Sequence, residues 1–322
     1  MTNYSKWTEA TPEEPVRAVA IRSLDARLQA VRDYLGKAAG EAHKDVEYVH
    51  QMRVWSRRAH AALQLYRTLM PEWRVQRLAK LLGRIRRAAN DARDDDVFAA
   101  RLAKEKKNPA ARLLLDRVRD HRRQSQEPIV AIYRKLDKGE KLEKRAAKLL
   151  KRVGTGSRAP LGVEPFGDWA SCRLKAEIEP FFQAATADLS VTDQLHRLRI
   201  AGKQLRYSME LLAAGLPETL RSHVYPMVRD LQDRLGTIND HATAQQRLQR
   251  WIQESPSKAE RKFLESQCEI ELDRTATFCR EFLEWWNDHR EAELRQAFEQ
   301  LLNAGQLACP DASHEFRADA SA

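Results

Sequence analysis

The chain has 322 residues, of which 43% are hydrophobic and only 12 each are Gly and Pro. It is long enough to bury a sizeable core without help from disulfides or metal, and the scarcity of turn formers favours helices over sheets. Lys and Arg number 56 against 46 Asp and Glu, a net charge of +10 that favours acidic partners such as nucleic acid, polyphosphate or an anionic membrane surface. No apolar run approaches the roughly 18 residues needed to span a bilayer, and the polar, acidic start MTNYSKWTEATPEEP lacks a signal segment, so a cytoplasmic protein without membrane insertion is expected.

Apolar periodicity predicts helices near 16–39, 45–69, 73–89, 95–106, 110–126 and 129–152. Pro71, Pro109 and Pro128 mark breaks because each pushes the preceding residue out of the α region. Asp91, Asp94 and Asp95 suit a helix start, where free N–H groups want acceptors. The stretch from Val153 to Trp169 is the richest in Gly and Pro and holds the expected linker, residues 153–163. Beyond it the scheme repeats, with Pro217 and Pro256 as breakers and a last helix ending near Gly305, and the tail 307–322 is expected to be disordered.

The repeat is visible in register. VHQMRVWSRRAHAAL, from Val49, matches LHRLRIAGKQLRYSM, from Leu195, at an offset of 146 that continues through Pro71 and Pro217, Asp94 and Asp240, and Leu102 and Leu248. The chain therefore reads as all-α, two pseudo-symmetric antiparallel helical bundles at 15–152 and 164–306. Four cysteines, Cys172, Cys268, Cys279 and Cys309, show no CxxC pair or zinc spacing and read as reduced.

From Tyr48 to Asn90 the only acidic residue is Glu72, although the segment holds ten Arg and Lys residues, among them Arg53, Arg57, Arg58, Lys80, Arg84 and Arg87. A solvated helix face normally interleaves acids one turn away, because like charges there repel by roughly 0.2–0.5 kcal/mol per pair. At about 100° per residue, His50, Arg53, Arg57 and His60 fall within an arc of roughly 80°, as do their repeat partners His196, Arg199, Lys203 and Arg206. Both rows border an apolar face, so their stems can lie on the core while the heads reach a groove. Lys80, Arg84 and Arg87 add a second row, spaced i, i+4, i+7. Such rows fit a polyphosphate chain, which offers regular negative charge and no bases, with Arg forking onto phosphate oxygens and Lys supplying compact charge.

At this point the sequence resembles the CHAD family, the conserved histidine α-helical domain, from about residue 15 to 305. The matching elements are VHQMRVWSRR with His50, Arg53 and Arg57, ARDDDV at Arg93–Val97, LHRLRIAGKQLRY with His196, Arg199, Lys203 and Tyr207, and LQDRLGTINDHA at Leu231–Ala242. Asn90 stands where a glycine often precedes the second element, and His60 where Arg206 sits in the second copy. The resemblance implies paired helical bundles around a basic cavity or surface that binds inorganic polyphosphate, often at polyphosphate granules in bacteria, with no chemistry of its own. A stand-alone member without a preceding triphosphate-tunnel domain is expected.

The paired histidines invite a metal-site or phosphohydrolase reading, but Arg53 and Arg199 stand at i+3, where a metal site would want His, Asp or Glu. No cofactor, metal or catalysis is expected. Nucleic acid is the more serious alternative, although Tyr48, Trp55 and Tyr66 lie off the stripe and read as packing residues rather than stacking platforms. If the histidines touch phosphate, binding should strengthen as pH falls through the imidazole range.

Overall fold

The computed structural model describes residues 4–104, 108–137, 140–155, 163–255 and 257–304. Among them there is no β-strand. Helices α1 (Val16–Gly40), α2 (Glu47–Leu65), α3 (Glu72–Ala88), α4 (Asn90–Leu102), α5 (Pro109–Gln124), α6 (Glu127–Asp137) and α7 (Lys141–Thr155) make up the first half. The second consists of α8 (Phe166–Ala185), α9 (Thr192–Leu212), α10 (Tyr225–Glu254), α11 (Lys258–Trp285) and α12 (Asp288–Ala304). The fold is all-α, as the periodicity predicts. The linker expected at 153–163 lies largely, and the tail at 307–322 wholly, outside the described residues.

Where the two halves begin, the chain pairs with itself. Pro15 and Pro165 form an isolated antiparallel bridge; Val16 N donates to Glu164 O at 3.1 Å and Phe166 N to Glu14 O at 2.8 Å. Proline's fixed φ suits the position just ahead of a helix, and its missing N–H leaves the neighbouring amide to make the bridge. A second correspondence follows α2 and α9: short 3-10 turns, Arg67–Leu69 and Ala213–Gly215, stand at the repeat offset and lead to Pro71 and Pro217.

The main core joins both halves: Leu24, Met52, Leu63, Leu82 and Ile85 pack in one cluster with Phe166, Phe181, Leu205, Leu231 and Phe298. A smaller cluster of Phe98, Leu102, Leu114, Leu248, Trp251 and Leu264 fastens the α4–α5 hairpin onto the far ends of α10 and α11. Burying such side chains contributes about 1.5–3 kcal/mol each before entropy is charged against it. Gly202 of α9 leaves room for the buried Gln232 side chain of α10, whose amide an added Cβ would displace.

Several sequence expectations need correction. The helix expected at 129–152 is two, α6 ending at Asp137 and α7 beginning at Lys141, directly after Glu140 with its positive φ of 51°. The final helix is divided too: α11 stops at Trp285, and Asn287 Oδ1 caps α12 by accepting from Arg290 N at 3.1 Å. Asp94 and Asp95 do not cap α4, which starts earlier, at Asn90. Asp95 is instead fully buried and accepts from Ser125 Oγ at 2.9 Å, with His121 Nδ1 at 2.8 Å. Cys268 and Cys279 are free thiols, whereas Cys172 is disulfide-bonded, against the reduced reading; spacing in one sequence does not say which distant thiols meet.

Candidate functional site

Helices α2 and α9 pack against each other, and their basic stripes run along the same contact. Together with α4 and α10 they enclose an open cleft of about 650 Å³. Eight Arg and one Lys line it, against three Asp: Asp94, Asp233 and Asp240. Such an imbalance inside a concave, half-buried space focuses positive potential on whatever enters.

The nine cations fall into two groups. Four are held by carboxylates. Arg58 Nε and Arg206 Nη1 pair with Glu210 at 2.9 and 2.8 Å, Arg101 with Glu271 at 3.0 Å, and Arg247 with Asp95 at 3.3 Å and Asp94 at 3.8 Å. The other five, Arg53, Arg57, Arg93, Arg199 and Lys203, have no ion-pair partner among the described residues. Arg53 donates to the Asn90 side chain and to the Arg86 carbonyl, neutral acceptors that aim the guanidinium without neutralising it. Arg199 Nε is buried with no hydrogen-bond partner. Arg53 and Arg199, and likewise Arg57 and Lys203, are repeat equivalents at the offset of 146. The two copies of the stripe therefore meet over one cleft.

Burial, and after it the crowding of like charge, shows in the titration of the site. Burial, followed by the charges of Arg199 and Arg57, pushes Lys203 down to about 7, with Asp240 offsetting part of the effect. Arg53 is pushed down to about 10 by burial and then by Arg57, and His50 is lowered by burial and by Arg93. Arg57 contributes to every one of these shifts and to those of Arg86 and Arg199, which places it at the centre of the cluster. The site would bind anions more readily than it tolerates its own cations.

Glu210 has the opposite role. It is buried to 1% exposure, accepts from Tyr225 Oη at 2.8 Å, and ties Arg58 of the first half to Arg206 of the second. Removing it would leave two half-buried guanidinium groups without their counter-ion, so Glu210→Ala should cost about 3–5 kcal/mol of stability. Urea unfolding measures this, and a loss below about 1 kcal/mol would mean the pair is solvent-relaxed.

Of the residues singled out from the sequence, His50, Arg53, Arg57, Arg58, Arg199, Lys203, Arg206 and Tyr207 line the cleft. His196 is exposed outside it, as are Lys80, Arg84 and Arg87 on the outer face of α3. Val75, Leu78, Leu82 and Ile85 turn that helix by burying its opposite side. The cleft also includes Arg93, Arg101 and Arg247, none of them in the predicted set; the ARDDDV element was the available signal for Arg93. Trp55 and Tyr66 are core residues, Tyr66 stacked on Trp169 at 5.3 Å between centroids. The rings lining the cleft, Phe98 and Tyr207, are both buried. Among the described residues no group of three or more His, Cys, Asp and Glu is placed to hold a metal ion, and no helix is long and apolar enough to cross a membrane.

An all-α fold around a cation-lined cleft defines the class: a helical protein whose basic side chains converge on one concave surface. The CHAD domain family profile matches residues 19–249, and the chain belongs to that family. The crystal structure of the CHAD domain from the plant Ricinus communis superposes with a TM-score of 0.69 at 19% identity, over 93% of this chain and 97% of that one. PptA from Streptomyces chartreusis superposes with a TM-score of 0.56 at 14% identity, over 90% and 100%. These likenesses are of fold. No curated protein sequence matches the chain.

Proposed function

We propose that the protein binds inorganic polyphosphate in the cleft between α2, α4, α9 and α10 and performs no chemistry on it, serving to attach the chain's bearer to polyphosphate, granules included. One observation carries the reading: five cations without ion-pair partners among the described residues converge on a single cleft, where burial and then the charges of Arg199 and Arg57 push Lys203 down to about 7. A run of closely spaced phosphates removes that repulsion, since each guanidinium can fork onto phosphate oxygens while the ammonium takes a third donor direction. Membership of a family associated with polyphosphate-related proteins supports the choice of ligand. Nucleic acid suits the cleft less well, because Phe98 and Tyr207 are buried and offer no free face to a base. Non-catalytic binding is favoured because no hydrogen bond or ion pair among the described residues joins the cleft histidine, His50, to a carboxylate that would orient it, and burial and then Arg93 lower its pKa with only partial offset from Glu47.

The test is titration calorimetry with polyphosphate beside single- and double-stranded DNA at equal phosphate concentration and physiological salt. Tight polyphosphate binding with DNA at least about tenfold weaker is expected; DNA binding as strong or stronger would overturn the assignment. Incubation with labelled polyphosphate should return the chain intact, and release of orthophosphate would overturn the non-catalytic reading.

A further inference from the structure

A second basic groove lies outside the cleft, between α3 and α7. It encloses about 300 Å³ and is lined by six cations, Arg74, Arg77, Lys141, Lys144, Arg145 and Lys148, with the indole of Trp73 at its edge. Trp73 is 55% exposed, unusual for its size, and the Arg74 guanidinium lies 4.1 Å from its ring. Arg74 Nε is buried and has no hydrogen-bond partner. Among the described residues the only carboxylate paired with any of the six is Glu140, 3.6 Å from Lys144 and itself largely exposed. A solvated surface of helical proteins would interleave acids here, as it does on α11 and α12.

The exposed face of α3 connects this groove to the cleft. Arg77, Lys80, Arg84 and Arg87 fall within an arc of roughly 80° on the helix, and Arg74 to Arg87 spans about 20 Å along its axis. At one end, Arg77 and Arg84 stand close enough to Arg145 to lower its pKa further after burial has done so. At the other, Arg86 sits among Arg87, Arg57 and Tyr207, the last two of which line the cleft. Nowhere along the row is a cation paired with a carboxylate among the described residues. The row missing from the cleft therefore has a place of its own.

We propose that the α3–α7 groove is a second polyphosphate subsite and that the outer face of α3 carries one continuous phosphate chain from the cleft to it. The inference rests on the polyphosphate reading of the cleft and adds a chain-length preference to it. A short oligophosphate occupies the two sites separately, whereas a long chain occupies both at once and gains from the high effective concentration of its second segment.

Tripolyphosphate and a chain of about a hundred phosphates, titrated into the full-length protein and into Arg77→Glu/Lys148→Glu, test this. Both substituted side chains are exposed, and unchanged helicity by circular dichroism checks the fold. The expected result is two tripolyphosphate sites in the parent and one in the variant, with long-chain affinity falling about tenfold or more in the variant. One tripolyphosphate site in the parent, or unchanged long-chain affinity in the variant, would overturn the second subsite while leaving the cleft reading intact. No polyphosphate binding by the parent would remove both. A variant that loses only duplex-DNA binding would give the groove to nucleic acid and overturn the phosphate track.

Discussion

Arg57→Glu combined with Arg199→Glu should abolish polyphosphate binding at the cleft, lowering affinity there by a factor of about a hundred or more, while leaving the melting temperature unchanged or raised. The first half follows from charge: each guanidinium contributes about 1.5–3 kcal/mol through hydrogen bonds to an ionised partner, and its replacement adds repulsion. The second half follows from the lack of an ion pair to either guanidinium among the described residues, Asp240 only partly offsetting the like charge around Arg199. Arg57 depresses the titration of His50, Arg53, Arg86, Arg199 and Lys203, so the folded state carries a cost of like charges that a carboxylate at position 57 would relieve. Binding sites commonly sacrifice stability in this manner. Calorimetry for affinity and thermal unfolding for stability check the pair of outcomes. Retained cleft binding would show that the unpaired cations are not the site, and a large fall in melting temperature would show that they are structural partners.

How much of this was legible in the sequence depends on which interactions are local. Helix period and the apolar face of α2 and α9 orient a side chain relative to its own helix, and this sufficed to align Arg53 with Arg199 and Arg57 with Lys203. What period cannot supply is the angle between helices. In the first half the helix after the stripe breaks at Ala89, so α3 and α4 are separate; at the equivalent positions of the second half, α10 runs on through Leu235 without interruption. Equivalent residues consequently meet different surroundings. His50 lines the cleft beside Arg93, whereas His196 is exposed. Likewise Arg86 is half-buried within reach of the charges of Arg57 and Tyr207 while its neighbour Arg87 is exposed, a choice made by the packing of Ile85 and Leu82 rather than by charge.

The counter-ions were harder still, because they come from distant segments. Glu210 holds a partner 152 residues away, and Arg247 reaches Asp95 across the same separation. Only one trace of Glu210 stood in the sequence: a lone acid in the run SMELLAAG, where every neighbour is apolar or small. A carboxylate in such a run must be buried with a cation, though which cation follows only from the fold. The distinction that matters for function, between cations already neutralised and cations left unpaired, was therefore unreadable until both halves were assembled. It separates Arg58 and Arg206, which the stripe placed in the same class as Arg57 and Lys203, as clamps on Glu210.

Lys203 makes the unpaired state measurable by pH. Its folded pKa of about 7 lies below the ordinary lysine value of 10.5. Between those limits the unfolded chain binds the additional proton, so the penalty this lysine places on stability is full below about 7 and falls away as pH rises toward 10.5. Phosphate in the cleft reverses the balance, since an anion beside the ammonium restores the charged form. Polyphosphate binding should then take up close to one proton at pH 8–9, and affinity should be level below about 7 and fall by up to about tenfold per unit above it. His50, already lowered by burial and Arg93, titrates below the usual imidazole range and adds its own strengthening only toward acid pH. Calorimetry in buffers of different ionisation enthalpy counts the protons directly. Lys203→Met should remove both the uptake and the alkaline fall, and Lys203→Arg should keep tight binding while levelling the profile, because a guanidinium stays charged across the range. A parent protein whose affinity is constant from pH 7 to 9, with no proton uptake, would mean that Lys203 does not meet the ligand.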